Sequence, residues 1–301
     1  MTTALRGCGT AIVTPFTRDG AVDVEALRKL VEWQIEEGID FLVPCGSTGE
    51  AQTLSVEERD LVVRTVVDAA RDRVPVMAGA SHNDTRQAMA EAKRVSALGV
   101  TWLLSATPYY NKPTPEGLYR HFLAVADASR VPVCLYNVPG RTAVNMKPET
   151  VLRLASHPNV IGIKESSGDL AQVQHLLLGR PEDFAVLSGE DWMTLAITAA
   201  GGDGLISVAS NEIPKLMSQL VRRALLGQVV EAREILFQVL PLLEANFLET
   251  NPAPVKAALA AMGRIQEVLR LPLMPLTEAR RPPLFAALRA AGVEPAEVVT
   301  R

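Results

Sequence analysis

A lysine that closes an apolar run is the most reactive feature of this sequence. Lys164 follows Val160-Ile161-Gly162-Ile163, whose β-branched character is that of a buried strand. Desolvation at the end of such a strand disfavours the ammonium form, and a neutral amine is a nucleophile toward a ketone. The competing role is a structural lysine paired with a carboxylate such as Glu165, because lysine is rarely buried without a partner. A second cluster, Gly46-Ser47-Thr48-Gly49-Glu50, offers two hydroxyls and backbone N–H groups at a turn, which suits a small carboxylate held without a cation. Alone, it could equally be a glycine-rich turn with a capping hydroxyl.

Other chemistries find little support. Cys8, Cys45 and Cys134 each lie in an apolar run without metal-ligand spacing, so they read as buried free thiols. His82, His121, His157 and His175 are scattered, and neither a zinc site nor any cofactor is expected. The net charge of −4 arises from 34 acidic and 30 basic residues without a basic stripe, which argues against nucleic acid. No apolar run reaches the length of a membrane span, and the first residues lack the pattern of an export signal. A cytoplasmic protein without membrane contact is expected.

The elements that must position Lys164 follow from periodicity. Short β-branched or apolar runs alternate with amphipathic segments up to about residue 227, the pattern of a parallel sheet. Eight strands are predicted, at residues 9–14, 41–45, 74–79, 102–106, 131–136, 160–164, 184–188 and 204–208. Eight such units close a (β/α)8 TIM barrel, whose active site lies at the carboxyl ends of the strands. Gly201-Gly202-Asp203-Gly204 has the composition of a phosphate cradle, but it precedes the last strand and reads as a tight turn. Asp23 and Thr114 are predicted N-caps, the latter with Pro115 at the first helical position, and Ser55 with Glu58 forms a capping box. Beyond residue 227 the alternation stops, and residues 229–250, 254–262 and 278–291 read as helices. The chain is therefore divided into a catalytic barrel, 1–227, and a C-terminal helical appendage, 228–301. The prolines within 271–275 and 281–283 are taken as breaks between its helices.

The strand-end motifs, in order, are Thr14-Pro15-Phe16, Gly46-Ser47-Thr48-Gly49-Glu50, Thr107-Pro108-Tyr109-Tyr110-Asn111, Tyr136-Asn137-Val138-Pro139 and Gly162-Ile163-Lys164-Glu165. Leu187-Ser188-Gly189 and Gly204-Leu205-Ile206-Ser207-Val208 complete the series. Together they resemble the dihydrodipicolinate synthase and N-acetylneuraminate lyase family of pyruvate-dependent barrels, over nearly the whole chain. The resemblance implies that Lys164 forms an imine with pyruvate and that Tyr136 is the proton donor, in a hydroxyl relay with Ser47 and with Tyr110 from a neighbouring subunit. Ser47 stands where many members carry threonine, a change that keeps the hydroxyl. Ser47 and Thr48 would hold the pyruvate carboxylate, with Ile206 and Gly189 completing the binding site.

Arg141 separates the branches of the family. In the dipicolinate branch an arginine at this position grips the carboxylate of aspartate semialdehyde, whereas sugar-acid lyases usually lack it; a guanidinium can clamp a carboxylate bidentately. Asn251-Pro252-Ala253-Pro254-Val255-Lys256 also resembles that branch. The implied reaction joins pyruvate and L-aspartate 4-semialdehyde into 4-hydroxy-tetrahydrodipicolinate, in lysine and diaminopimelate biosynthesis, without a cofactor. Cleavage of N-acetylneuraminate or a keto-deoxy sugar acid is the nearest alternative, and a catalytically silent keto-acid binder a remote one. The resemblance further implies a homotetramer built as a dimer of dimers. Some members bind lysine as an inhibitor at the tight dimer interface. Tyr109 and Asn83 match that set, but Gln87 replaces a glutamate, while Val56 and Arg59 stand where some sensitive members have histidines. Feedback by lysine is therefore expected to be weak or absent.

Overall fold

The computed structural model describes residues 4–295 of the chain. Eight parallel strands form its centre: β1 (Gly7–Thr10), β2 (Phe41–Leu42), β3 (Met77–Gly79), β4 (Trp102–Ala106), β5 (Val133–Asn137), β6 (Val160–Glu165), β7 (Ala185–Ser188) and β8 (Gly204–Ser207). The strands from β3 to β8 pair in sequence order, β8 returns to β1, and β1 pairs with β2. A parallel bridge between Leu42 and Val76, with a 3.1 Å bond from the Leu42 N–H to Pro75 O, brings β2 against the β3 side. The (β/α)8 barrel is thus the fold, as the strand count requires.

Six predicted strands are longer than the observed ones, most of all the first three, and β3 starts only at Met77. β1 begins earlier and stops at Thr10, after which the Ala11 and Ile12 N–H groups bond to Ser207 O and Val43 O. The backbone there is still tied to both neighbours, but no longer in regular ladder register. β2 contains two residues because Cys45 turns into a left-handed conformation, φ 57°, that ends the strand and begins the Gly46 loop.

Alternation along the strands separates two apolar layers. Phe41, Val43, Trp102, Leu104, Cys134, Leu187 and Ile206 fill the barrel. Leu103, Val133, Leu135, Ile163 and Val186 face outward, where the surrounding helices cover them. The three cysteines are buried free thiols. Helix starts agree with the sequence. Asp23 accepts from the Ala26 N–H at 2.9 Å, Thr114 accepts from the Gly117 N–H at 3.2 Å, and Ser55 with Glu58 completes its capping box. Gly201 to Gly204 is the turn between a helix and β8.

The C-terminal helices are Val229–Ala245, Ala253–Ala261 and Arg281–Ala290. The first stops short of residue 250, and the segment that follows it carries Asn251 to the barrel mouth. Pro282 and Pro283 do not break a helix. They occupy the first turn of Arg281–Ala290, where a missing N–H costs no intrahelical bond. Val239, Leu242, Val255, Leu259, Leu284 and Leu288 share one continuous core with the barrel helices, so the appendage is packed onto the barrel.

Candidate active site

β5 and β6 bring together two of the predicted site residues. Tyr136 and Lys164 are register partners, and residues at one level of adjacent strands point to the same face. Both turn inward, 8% and 5% exposed, with Lys164 Nζ 4.4 Å from the centre of the Tyr136 ring. Glu165, next in sequence, necessarily points to the other face. There it accepts from the Asn137 and Gln172 side chains and the Ser167 N–H. Burial raises its carboxyl above the usual carboxylate range. The carboxylate that could have neutralised Lys164 is engaged elsewhere.

Gly189, just past β7, gives the lysine its room. A Cβ at this position would lie 2.8 Å from Lys164 Cε and 1.9 Å from Ser166 Oγ, so any side chain here would displace the amine.

The Gly46 loop forms the opposite wall. Its turn is held by bonds from the Gly49 N–H to Gly46 O and from the Glu50 N–H to Ser47 O, both 3.1 Å. These bonds leave the Ser47 and Thr48 N–H groups outside the turn's own network. Thr14 Oγ1 donates to Gly49 O at 2.7 Å. The C-terminal segment braces the loop from above. Asn251 Nδ2 donates to Thr48 Oγ1 at 2.9 Å. Lys256 Nζ forms a fully buried ion pair with Glu50 and donates to Val268 O at 2.8 Å. Desolvation lowers the Lys256 ammonium to about 8 in spite of Glu50.

A cavity of about 60 Å³ brings Ser47, Thr48, Tyr136, Arg141, Lys164 and Gly189 together. Arg141 reaches it from the short helix Pro139–Thr142 that follows β5, with Nη2 3.4 Å from Asn251 O. Ile206 is buried within the barrel, and the residue following β8 that lines the cavity is Val208. Tyr110 is not brought to the cavity. It lies beyond β4 with φ 73° and is 89% exposed. An outer cleft of about 550 Å³ shares Ser47, Tyr136 and Arg141 with the inner cavity and extends to Arg59, Glu91 and Tyr109. Arg59 is paired there with Glu91, so it adds less positive field than its position in the sequence suggested.

Two polar residues of the cavity, Asn251 and Glu190, have no role in the sequence reading. Asn251 stood in a segment noted only for its resemblance, and Glu190 immediately follows Gly189. Both carry a signal in hindsight, since a polar side chain at a strand end, or beside a proline-rich bend, is at the catalytic end of a barrel.

A buried strand-borne lysine facing a hydroxyl-bearing loop is accompanied by a family match. The model of the dihydrodipicolinate synthetase family matches residues 4–291. The chain belongs to that family. A 4-hydroxy-tetrahydrodipicolinate synthase of Koribacter versatilis is 55% identical over 290 residues, 96% of this chain and 97% of that protein. Among solved structures, a chloride-inhibited dihydrodipicolinate synthase of Acinetobacter baumannii, complexed with pyruvate, superposes with a TM-score of 0.94 at 44% identity, covering 96% of this chain and 99% of that one. A monomeric dihydrodipicolinate synthase variant superposes equally well, at 0.94 and 42% identity over 96% and 97% of the two chains.

Proposed function

We propose that this chain condenses pyruvate with L-aspartate 4-semialdehyde to give 4-hydroxy-tetrahydrodipicolinate, through an imine on Lys164. The observation that carries the reading is Lys164 in a cavity with Ser47, Thr48 and Arg141, away from the carboxylate next to it in sequence. The Lys164 amine attacks C2 of pyruvate, whose carboxylate is held by the hydroxyls and N–H groups of Ser47 and Thr48, with a backbone contact from Ile206. Loss of water leaves a cationic imine, which acidifies the methyl carbon and yields an enamine without a metal or organic cofactor.

The enamine attacks the aldehyde while Arg141 fixes the substrate carboxylate and Tyr136 supplies a proton to the developing alkoxide. Ser47 and Tyr110 pass the proton onward. The exposed position of Tyr110 supports its serving a neighbouring subunit's site, within a homotetramer built as a dimer of dimers. The reaction belongs to lysine and diaminopimelate biosynthesis in the cytoplasm. No helix among the described residues is long and apolar enough to cross a membrane. The barrel is placed at residues 1–227 and the helical appendage at 228–301, on the loss of strand alternation at that point.

Product analysis with pyruvate and several aldehydes tests the assignment. Selective turnover of aspartate semialdehyde is expected. Preference for a sugar-derived aldehyde would overturn it in favour of the lyase branch.

A further inference from the structure

Ring closure demands something of the site that the relay of hydroxyls does not provide. The second substrate arrives with its amino group as an ammonium, and an ammonium has no lone pair to attack the imine carbon. We propose that Glu190 is a catalytic residue that binds this ammonium and accepts its proton before the ring closes; the assignment rests on the substrate reading above.

The geometry selects Glu190. It lines the same 60 Å³ cavity as Lys164 and Arg141, so a substrate gripped by its carboxylate at Arg141 and bonded through its carbon chain to the imine has its amine beside this wall. The main chain of Glu190 is fixed at the end of β7: its N–H donates to Ser188 Oγ at 3.2 Å, while Ser188 Oγ and Thr194 Oγ1 donate to its carbonyl at 2.8 and 3.3 Å. These bonds all engage its main chain, and among the described residues no hydrogen bond or ion pair engages its carboxylate, which feels the charges of Lys164 and Arg141. Burial pushes its carboxyl up to about 7; the neighbouring Asp191 raises it, Lys164 and Arg141 oppose this, and Glu165 adds to the rise. A base that titrates near neutral pH is matched to accepting a proton at that pH. Asp191, the other acid of the pair, is spent on structure. It accepts from the Val208 and Ala209 N–H groups at 3.1 and 3.3 Å and from Ser207 Oγ.

In the step itself, one proton passes from the substrate ammonium to the Glu190 carboxylate. The freed lone pair forms the bond from the ring nitrogen to C2. The ring nitrogen passes one proton to Nζ, the bond from C2 to Nζ breaks with its electron pair on Nζ as the ring-nitrogen lone pair forms the C2=N bond, and the last N–H proton of the ring leaves to solvent; Lys164 is again an amine. Glu190 returns its proton to solvent before the next turnover.

Glu190→Gln tests this in the whole enzyme. The expected result is a roughly 10²-fold lower kcat/KM for aspartate semialdehyde at neutral pH, with borohydride trapping of pyruvate on Lys164 unchanged. Inhibition by 4-oxobutanoate, the same aldehyde acid without the amino group, should also be unchanged. The wild-type kcat/KM should rise with pH through about 7, and Glu190→Gln should lack that limb while Glu190→Asp recovers part of it. The proposal is overturned if Glu190→Gln stays within about twofold of wild type, if it weakens 4-oxobutanoate as much as the amino substrate, or if it keeps the limb. Wild-type enzyme that traps pyruvate but does not consume aspartate semialdehyde would overturn the substrate reading itself, and the role of Glu190 with it.

Discussion

The two walls of the cavity are built by different means. Lys164 and Tyr136 stand on adjacent strands in the middle of the sheet, where ladder bonds and the apolar barrel interior fix them from all sides. Ser47 and Thr48 stand on a loop that leaves β2 after two paired residues, and its position depends on residues some 200 positions away, Asn251 and Lys256. Tyr110 goes further, on a loop that projects from the chain. The strand wall is complete within one barrel. The loop wall needs the C-terminal segment to hold it and, under the proposed relay through Tyr110, would also need a second copy of the chain.

That contrast can be broken at either wall. The largest effect is expected at Gly189, where Gly189→Ala drives a methyl group into Lys164 Cε and Ser166 Oγ. A misplaced nucleophile costs roughly 10²-fold in rate, so both pyruvate trapping and turnover should collapse while the circular dichroism of the fold persists. Retention of normal trapping would show that the strand wall tolerates displacement.

Lys256→Met attacks the loop wall. It leaves Glu50 buried and unpaired, at a cost of about 3 to 5 kcal/mol in stability. Denaturant unfolding should show this loss, and adding Glu50→Gln should recover part of it. An unchanged midpoint would mean that the appendage does not brace the loop. Tyr110→Phe should impair activity with assembly intact in sedimentation. Mixing it with Lys164→Ala chains should restore activity, since one chain then supplies Lys164 and the other Tyr110; no restoration would place the site within a single chain.

Smaller effects sharpen the comparison. Arg141→Ala should weaken use of aspartate semialdehyde tenfold or more, the worth of a charge-assisted bond, and leave imine formation nearly unchanged. If trapping falls as far as turnover, Arg141 serves the pyruvate half instead. Lysine is expected to inhibit weakly or not at all, because Gln87 presents no carboxylate; strong partial inhibition in initial rates below about millimolar lysine would contradict that. Gln87 matters more here than Arg59, whose charge Glu91 offsets.

The difference between the walls also explains what was legible in sequence. Strand residues announce themselves by local pattern: an apolar run ending in Lys164 fixes both the element and the inward face. Gly189 matched the family motif, but its clash distances belong to the packed structure. The brace was not legible, since nothing local in Asn251 or Lys256 says that Thr48 and Glu50 are their partners. Glu190 is hard to single out, because a glutamate after a glycine reads as a solvated loop residue; only the closed barrel places it in one cavity with Lys164. The prolines at 282 and 283 misled for a related reason: composition marks a discontinuity, but not on which side of it a helix begins.

Pyruvate trapping shows whether Lys164 is the nucleophile. Incubation with pyruvate and borohydride, followed by peptide mass mapping, should place a reduced three-carbon adduct on the peptide containing Lys164, with concurrent loss of activity and no adduct in Lys164→Ala. Recovery of unmodified Lys164 from fully active enzyme, or an adduct on another lysine that tracks inactivation, would contradict the account.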